Sequence, residues 1–498
     1  MTAVGSTVRG LILAYGVFVA ERGVGLAISL ILARVLLPAE FGIVAFALLL
    51  VGLTDALRDL GIRDAMVCAE DTLGTAADTA FWLSLALGLA QSALLLASAP
   101  LARELLDDPR IVPLLAALAL VPPVAALGQT HEALILRRLA FQSRYQGDLA
   151  ACAAKLATAG LAVWLGAGVW SIVVAQLASA LVRTSTRWMA EPWRPRCRFD
   201  FGQARTLFHF SLPVFAAGIG YLLADRLDYP IIAITLGADA LGFYALAVRL
   251  PDLVLNGTNL VLGRVMFPTY VTLRRDAAAL SRAVVATMRY TSFVAVPLGM
   301  GMAALASPLV AAAFGDRWLP SAYPMAVLAV AGVMAALVWS IADAVKAVGR
   351  PAVSAGMAGL NILVSVPLVT VFAMIGGSAF AVALAHLLVT IVMAGLWLAI
   401  QRRCLGKVPL CRTFGPAVLA GAAMIAAIAV IRLSLPGSSP WLTLAAAVPG
   451  GSLAYAAVLW LLAGKEIRAG LSQLRNACRR QKPRTNVGTE PLSGTSPA

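Results

Sequence analysis

The chain has 498 residues, of which 60% are hydrophobic and only 13% are charged, and its mean hydropathy is +0.87. A soluble protein of this length needs a polar surface around its core, so the composition excludes a soluble globular fold. The formal net charge is +15, but the basic residues recur in alternate loops instead of forming one patch. We therefore expect no nucleic-acid partner.

Between Leu11 and Ala463 lie about fourteen apolar segments, each near the roughly 20 residues that a bilayer-spanning helix needs. Helices of this kind satisfy their own backbone hydrogen bonds, which lipid cannot do. The first segment contains Glu21 and Arg22, is too long for a signal-peptide core, and is interpreted as a retained helix. The sequence predicts an all-α polytopic membrane protein of about fourteen transmembrane helices.

The loops between the apolar segments alternate in charge. Every second loop holds most of the basic residues, whereas the opposite loops hold few. Arginine and lysine stay on the cytoplasmic side of a membrane, so we expect both termini to be cytoplasmic. The basic residues assigned in this way to cytoplasmic loops include Arg58, Arg137, Arg144, Arg183, Arg187, Arg194, Arg274, Lys346 and Arg402.

The sequence contains an internal repeat. Residues 32–47 read LARVLLPAEFGIVAFA and residues 232–247 read IAITLGADALGFYALA, so that an ungapped alignment pairs Gly42 with Gly242. Each copy opens a set of about six apolar segments, and an even number of segments separates the copies, which therefore share one orientation. This pattern predicts two parallel halves with the functional site at their interface.

These observations divide the chain into consecutive parts. A Pro- and Arg-rich stretch reads as a linker, and the final segment suits a helix on an anionic membrane surface, with a solvated basic tail as the alternative. The parts are an N-terminal six-helix lobe (1–190), a cytoplasmic basic linker (191–206), a C-terminal six-helix lobe (207–400), two additional transmembrane helices (401–463), and a basic amphipathic helix with a disordered cytoplasmic tail (464–498).

Charged residues inside the apolar segments are the candidates for function. Each costs about 2.5–3.5 kcal/mol to insert into hydrocarbon, so it normally faces a partner or a wet cavity. They concentrate in the first helix pair of each half, around a predicted central cavity: Glu21, Arg22, Asp55, Asp225, Arg226, Asp228, Arg249 and Asp252. The alternative is that Asp55 with Arg58, and Arg249 with Asp252, form intrahelical ion pairs that only neutralise one another.

Three of these carboxylates, Glu21, Asp55 and Asp225, are candidates for ion coupling. Asp55 has Arg58 one turn away and should stay ionised if the two residues pair. Arg22 follows Glu21 in sequence but points about 100° away around a helix, so Glu21 is expected to titrate more freely. The charges do not repeat between the halves, and the cavity is therefore expected to be asymmetric.

Motifs for cofactor or metal chemistry are absent from the sequence. There is no G-x-x-x-x-G-K-[ST] phosphate loop, no HExxH motif and no acidic metal cluster. No loop on the predicted outer side is large enough for a soluble catalytic domain. We therefore expect no cofactor, no metal and no enzyme activity.

An ordered set of short motifs runs through most of residues 1–400. They read LARVLLPAEFG (32–42), DLG (59–61), GVWS (168–171), WRPR (193–196), FHFSLP (208–213) and LGADALGFYALAVRLP (236–251). In order and spacing they resemble the motifs of bacterial oligosaccharide flippases of the polysaccharide transporter (Wzx-type) family. Asp228 and Arg249 fall on motif positions, whereas relatives often carry a basic residue at the position of Asp225, and here the cation is Arg226.

The resemblance implies the multidrug/oligosaccharidyl-lipid/polysaccharide fold, with two six-helix lobes around a central cavity. It also implies translocation of an undecaprenyl-pyrophosphate-linked sugar repeat unit across the bacterial inner membrane by alternating access, for O-antigen, capsule or exopolysaccharide biosynthesis. Arginine suits bidentate contacts with phosphates. The expected substrate-binding residues are Arg22, Arg226, Arg249, Asp228 and Asp252.

The expected partners are the lipid-linked oligosaccharide and membrane lipids, with a polysaccharide polymerase and a chain-length regulator as candidate protein partners of a monomer. Two rival classes remain open. A multidrug or other small-molecule ion-coupled antiporter on the same fold would be favoured by an acidic cavity without surplus arginine. A membrane-embedded polymerase or glycosyltransferase would need a large external loop with catalytic motifs.

Overall fold

The computed structural model of the protein describes residues 3–58, 66, 73–138, 140–205, 226–406 and 408–480. Across these ranges the regular secondary structure is helical, and no strand occurs in them. The predicted all-α fold is confirmed.

The first half of the chain forms long helices separated by short turns. Its described helices are α1 (Ala3–Val35), α2 (Pro38–Arg58), α3 (Leu73–Leu106), α4 (Ile111–Leu118), α5 (Val121–Ala126), α6 (Gln129–Arg137), α7 (Phe141–Trp164) and α8 (Trp170–Ala190). Helices α4, α5 and α6 follow one another as one interrupted span, Ile111–Arg137. Pro122 and Pro123 begin α5, where the missing N–H groups break the backbone hydrogen bonds of a continuous helix.

The second half continues in the same way. Its elements are α9 (Asp228–Pro251), a π-helical turn (Asp252–Asn256), α10 (Gly257–Leu273), α11 (Ala277–Ala304), α12 (Ala306–Phe314), a 3-10 helix (Asp316–Ser321), α13 (Ala322–Ala347), α14 (Pro351–Gly376) and α15 (Ala379–Cys404), followed by α16 (Leu410–Ser434) and α17 (Pro440–Arg480). The side chains of Asp276 and Ser378 cap α11 and α15 by accepting hydrogen bonds from first-turn N–H groups.

In the described ranges, 11 helical segments are long and apolar enough to span a bilayer. Helices α7 and α8 are of suitable length, at 24 and 21 residues, but contain charged residues. The predicted seventh span falls largely on residues 206–225, outside the described residues. The multi-pass membrane class is confirmed, whereas the number of about fourteen spans stays a prediction.

Helices α2 and α9 meet at positions that the repeat makes equivalent. A Cβ added at Gly42 would overlap the carbonyl of Ala238, and one added at Gly242 would overlap the carbonyl of Pro38. The contact is reciprocal, because the alignment pairs Gly42 with Gly242 and Pro38 with Ala238, as in an interface with two-fold symmetry. Gly237, whose φ of 82° favours glycine, interrupts α9 beside this contact and joins its two helical segments.

The same end of the helix bundle is closed by the fully buried Trp318 of the second half. Its indole N–H donates a hydrogen bond of 2.6 Å to the carbonyl oxygen of Ala33 in the first half. Its ring packs edge-on against Phe41 and Phe243, which come from opposite halves. We refer to these contacts, together with the paired glycines of α2 and α9, as the closed end.

Residues 191–205, which fall in the predicted linker, lie against the first half. The side chain of Asp78 in α3 accepts a 2.9 Å hydrogen bond from the backbone N–H of Arg196. Glu191 is buried, and its carboxylate lies 3.2 Å from the guanidinium of Arg138. This part of the linker is therefore a docked segment with specific contacts.

Helices α16 and α17 pack against each other and against α11. The hydroxyl of Tyr455 in α17 donates a 3.1 Å hydrogen bond to the carbonyl of Phe293 in α11. Helix α17 continues to Arg480 across a kink at Ala463, where φ is −125° and ψ is 19°. The predicted amphipathic segment thus begins at this kink, and the predicted tail from 481 onward lies outside the described residues.

Candidate functional site

Two cavities adjoin along α9. The first has a volume of about 220 Å³, lies between α1 and α2 of the first half and α9 of the second, and is lined in part by Ser29, Arg226 and Arg249. We call it the central cleft. The second has a volume of about 350 Å³ and lies within the second half, among α9, α13, α14 and α15. We call it the second-half cavity, and Arg226 lines both.

Four charged residues from the two halves form what we call the central cluster: Arg22, Arg226, Arg249 and Asp252. One carboxylate oxygen of Asp252 lies 3.4 Å from Arg226 Nη2 and 3.7 Å from Arg22 Nη1. Arg249 Nε donates a 3.0 Å hydrogen bond to the Ser29 hydroxyl. The Arg22–Asp252 and Arg249–Ser29 contacts both cross from one half to the other, and the four charged residues together are net positive.

The guanidinium groups of the central cluster remain accessible to solvent. The side chains of Arg22 and Arg226 are 39% and 26% exposed, and Arg249 is also exposed although it lines the central cleft. A guanidinium presents a planar fork of donors that matches phosphate and carboxylate groups. The cluster therefore has the chemistry of an anion site.

The backbone changes character at Asp252, which begins the π-helical turn after α9. A π turn holds an extra residue, so side chains beyond it point in directions that an α-helix would not give them. Among the described residues, the ion pairs of Asp252 are with Arg22 and Arg226, while Arg249 contacts Ser29. The alternative of an intrahelical pair between Arg249 and Asp252 is therefore not the arrangement found.

Asp228 is buried in the wall of the second-half cavity. One carboxylate oxygen accepts a hydrogen bond from the Tyr244 hydroxyl, and the other accepts one of 3.1 Å from the backbone N–H of Tyr229. Because α9 is interrupted at Gly237, the Tyr244 bond joins its two helical segments, and a carboxylate with both oxygens bonded in this way fits a structural role better than a direct ligand. Its predicted substrate contact stays a prediction.

A second group of charges, which we call the first-half network, consists of Glu21, Glu132, Arg144, Asp148, Arg183 and Arg187. Glu132 receives Arg187 at 2.6 Å and Arg144 at 2.8 Å. Arg183 reaches Asp148 at 3.4 Å and Glu21 at 3.0 Å. Glu21 therefore has a basic partner that its sequence neighbours did not indicate. All six members lie on helices of the first half, and acids and bases are equal in number.

The assignment of Arg144, Arg183 and Arg187 to loops is wrong, because they lie inside α7 and α8, and the last turns of other helices likewise contain Arg58, Arg137, Lys346 and Arg402. Their cytoplasmic side stays a prediction. In sequence, a run of basic residues after an apolar stretch resembles a loop. In the structure, carboxylates on neighbouring helices pair with these arginines, and the run is helical. A usable signal was present: Arg183 and Arg187 are spaced i and i+4, which places them on one helix face.

Asp55 has a polar contact deep in the first half. Its carboxylate accepts a 2.9 Å hydrogen bond from the side-chain amide of the fully buried Gln91, which also donates to Thr54 at 3.1 Å. The side chain of Arg58 and all of Asp225 lie outside the described residues. Their predicted parts in pairing and ion coupling stay predictions.

Sequence reasoning did not select Ser29, which holds Arg249 across the central cleft. Serine is common in membrane helices, where it usually bonds back to its own helix, and Ser29 does so to the Gly25 carbonyl at 2.9 Å. No sequence signal separates it from other such serines. Within the described part of the chain, no group of three or more His, Cys, Asp or Glu residues is arranged to hold a metal ion.

The chain is similar to proteins of polysaccharide biosynthesis. The family model described as polysaccharide biosynthesis protein matches residues 31–323. The succinoglycan biosynthesis transport protein ExoT of Rhizobium meliloti (strain 1021) is 29% identical over 291 residues, 58% of each chain. The lipopolysaccharide biosynthesis protein WzxC of Escherichia coli (strain K12) is 23% identical over 376 residues, 74% of this chain and 75% of the relative.

The teichuronic acid biosynthesis protein TuaB of Bacillus subtilis (strain 168) is 22% identical over 294 residues, 59% of this chain and 61% of the relative. The matched segment thus spans 58% of the length of ExoT and 61% of that of TuaB.

The fold also has a solved counterpart. The lipid II flippase MurJ, in an inward closed conformation, superposes with a TM-score of 0.74 over 92% of this chain and 100% of that chain, at 14% sequence identity. At this identity the likeness shows the fold alone. The resemblance seen in the sequence motifs is confirmed by the family match, which covers more than half of the chain, and this chain belongs to the polysaccharide biosynthesis protein family.

Proposed function

We propose that the protein is a flippase that translocates an undecaprenyl-pyrophosphate-linked oligosaccharide across the bacterial inner membrane for polysaccharide biosynthesis. The observation that carries this proposal is the central cluster, where three solvent-accessible arginines from both halves accompany a single carboxylate, which two of them contact. Such a cluster suits the doubly charged pyrophosphate, and the long lipid tail can stay in the bilayer. The relatives named for polysaccharide transport and biosynthesis support the same cargo class.

The pyrophosphate would be held mainly by Arg22, Arg226 and Arg249. Bidentate contacts between guanidinium and phosphate are charge-assisted and stronger than neutral hydrogen bonds. Arg249 is the residue we expect to change partner most readily, because its 3.0 Å contact is with a neutral serine hydroxyl. Ser29 orients the guanidinium without neutralising its charge.

The closed end supports alternating access. Trp318 and the paired glycines hold the two halves together at that end, while the central cleft lies farther along α9. Opening the closed end would separate the halves and expose the cleft on the other side of the membrane. The Arg22–Asp252 and Arg249–Ser29 contacts, which cross between halves, would then change with the conformation.

We also propose that both termini are cytoplasmic. The loop charges support this orientation, since the segment from Trp193 to Arg198 is rich in arginine. Labelling of cysteines introduced in this segment, in intact cells and in inverted vesicles, tests it. Labelling from the periplasm would contradict the orientation.

Ion coupling is proposed for Glu21 and Asp225, with Asp55 as the comparison. Protonation of Glu21 would release Arg183 from its 3.0 Å contact, whereas Asp55 is predicted to stay ionised through pairing with Arg58. We expect Glu21→Gln or Asp225→Asn to weaken dependence on a pH gradient more than Asp55→Asn does. Transport into vesicles with an imposed gradient measures this, and unchanged dependence in Glu21→Gln and Asp225→Asn would contradict the coupling.

Translocation itself is tested in proteoliposomes with a fluorescent undecaprenyl-pyrophosphate-linked sugar. We expect Arg249→Gln and Arg22→Gln each to slow translocation by about tenfold or more, since a hydrogen bond to a charged group contributes about 1.5–3 kcal/mol. Arg103→Gln is the matched control, because Arg103 is exposed on α3. Normal translocation by both cluster variants would contradict the proposed anion site, and transport of cationic drugs without lipid-linked sugar would favour the antiporter class.

A further inference from the structure

The lining of the second-half cavity contains polar and aromatic residues that a pyrophosphate site would not need. Its volume of about 350 Å³ falls within the roughly 300–1,000 Å³ of small-molecule sites, which combine apolar walls with a few placed polar groups. On α13, α14 and α15, the polar and aromatic residues in its described lining are Trp339, Asn361, Ser365, His386, Thr390 and Trp397. These six residues lie within one half of the molecule.

Two of these side chains have donor and acceptor groups that form no hydrogen bond to other described residues. Asn361 and His386 are partly buried, and neither side chain has a hydrogen-bond partner within the described ranges. An amide and a neutral imidazole each offer both donor and acceptor groups. Thr390 donates its hydroxyl hydrogen to the His386 carbonyl at 2.8 Å, which leaves its oxygen able to accept.

The two tryptophans add flat apolar surface beside these polar groups. Trp339 in α13 and Trp397 in α15 are partly buried and line the cavity. A sugar ring has an apolar C–H face, which an indole can cover, and a rim of hydroxyl groups, which an amide and an imidazole can bind. An acyl chain would instead leave Asn361 and His386 buried without partners, at a cost in free energy.

The cavity also adjoins the proposed anion site. Arg226 lines both the central cleft and the second-half cavity, and its partner Asp252 lines the cavity as well. In a pyrophosphate-linked glycan the first sugar is bonded directly to a phosphate, so the two groups must occupy neighbouring sites. We infer that the second-half cavity binds the sugars next to the pyrophosphate. This inference rests on the proposed function and adds a carbohydrate subsite to it.

Binding in lipid nanodiscs tests the subsite, because maltoside detergents would themselves bring sugars. The probes are undecaprenyl pyrophosphate without sugar and the same lipid carrying glucose or galactose. We expect the wild-type chain to bind at least one sugar-bearing lipid more tightly than the sugar-free lipid. Asn361→Leu and Trp397→Leu should reduce that preference by about three- to tenfold, the equivalent of one or two hydrogen bonds, without changing affinity for the sugar-free lipid.

Two controls separate the subsite from a general effect. Trp460→Leu removes an exposed tryptophan on α17 and should leave the preference intact. Arg249→Gln should weaken binding of all three lipids, because it acts on the pyrophosphate. If Trp397→Leu lowered the affinities for the sugar-free and sugar-bearing lipids equally, the cavity would be a lipid-chain site or the variant would be misfolded. Either result would overturn the inference.

Protection from labelling gives a second measurement that does not depend on a loss of binding. In a cysteine-free background, Ser365→Cys, a near-isosteric change in the cavity lining, should react with a polar thiol reagent more slowly in the presence of the preferred sugar-bearing lipid than with the sugar-free lipid. Equal protection by both lipids, or a wild-type chain that binds all three lipids equally, would overturn the subsite alone. A wild-type chain that binds none of them would contradict the proposed function itself.

Discussion

The central cluster and the first-half network are built from the same residue types but differ in balance and place. In the network, the Arg187 side chain is 12% exposed and lies 2.6 Å from the carboxylate of Glu132. In the cluster, Asp252 contacts two arginines at 3.4 and 3.7 Å, and the exposed Arg249 bonds a serine hydroxyl. Arginines matched by an equal number of carboxylates stabilise one half, whereas arginines in excess over carboxylates suit a charged ligand.

The two groups also differ in which parts of the chain they join. Every member of the first-half network belongs to α1, α6, α7 or α8, so a movement between the halves leaves its ion pairs intact. The central cluster joins α1 to α9 and to the turn after α9, so the same movement breaks or forms its contacts. The comparison therefore predicts a stability phenotype for one group and a binding phenotype for the other.

The largest expected effect is loss of stability from Glu132→Gln. The substitution leaves Arg187 and Arg144 without the carboxylate that lies 2.6 and 2.8 Å away, and breaking a buried ion pair costs about 3–5 kcal/mol. Thermal unfolding of the purified protein measures it. Glu104→Gln, at an exposed position of α3, is the matched control. An unchanged unfolding midpoint in Glu132→Gln would show that the network does not stabilise the first half.

The next effect concerns the closed end. Gly242→Ala places a methyl group against the Pro38 carbonyl, which should cost about 1–3 kcal/mol through overpacking and shift the protein away from the closed arrangement. Hydrogen–deuterium exchange should rise around Trp318 but stay unchanged in the first-half network. Gly356→Ala is the control, because no atom lies within 4 Å of a Cβ added there. Equal exchange in both variants would contradict this account of the closed end.

A third prediction separates Asp228 from Asp252. Tyr244→Phe removes the hydroxyl that donates to Asp228, and a buried acceptor left short of a hydrogen bond costs about 1–3 kcal/mol. We expect a lower unfolding temperature with unchanged affinity for undecaprenyl pyrophosphate. Tyr290→Phe, at an exposed tyrosine, provides the control. A specific loss of affinity with normal stability would instead make Asp228 part of the binding site.

The smallest effect is expected for a surface pair in the turn between α3 and α4. Hydrogen bonds from the Arg110 side chain hold the pKa of Asp108 below its usual value. The stabilisation is therefore present above the unfolded-state pKa and is lost as pH falls through the lowered pKa of the folded state. Asp108→Asn should cost less than about 1 kcal/mol at neutral pH and flatten the acid-side decline in stability.

The neighbouring Asp107→Asn is the control for the pH experiment, and stability is followed by thermal unfolding between neutral and acidic pH. A steep acid-side decline that persists unchanged in Asp108→Asn would assign the decline to other carboxylates. A large loss at neutral pH would mean that the pair contributes far more than other exposed ion pairs do.

Much of the fold could be predicted from the sequence, because membrane insertion demands long apolar helices and leaves few alternatives. The repeat alignment also identified Gly42 and Gly242 as equivalent, and their reciprocal contact follows from that equivalence. The position of Arg183 could not be read in the same way. Whether a basic residue ends a helix or continues it depends on carboxylates of other helices, here Asp148 and Glu21.

The candidate site was predictable in part. Charge at membrane depth singled out Arg22, Arg226 and Arg249, because each such residue needs a polar environment. Their partners follow from packing. Asp252 contacts Arg226 because α9 is interrupted at Gly237 and is followed by a π turn, and no local sequence pattern predicts this contact. The polar groups of the second-half cavity were likewise hidden, since asparagine and histidine in apolar helices more often serve packing.

The most direct test of this account measures the thermal shift that undecaprenyl pyrophosphate produces in Arg249→Gln and Arg187→Gln. A ligand that binds the folded state raises the unfolding temperature, and the stabilisation grows with the logarithm of the ligand concentration divided by Kd. We predict that Arg249→Gln unfolds at the wild-type temperature without ligand and shows little shift with it. Arg187→Gln should unfold at a lower temperature and keep its ligand-induced shift. A normal shift in Arg249→Gln, or a shift lost only in Arg187→Gln, would contradict the assignment of binding to the central cluster.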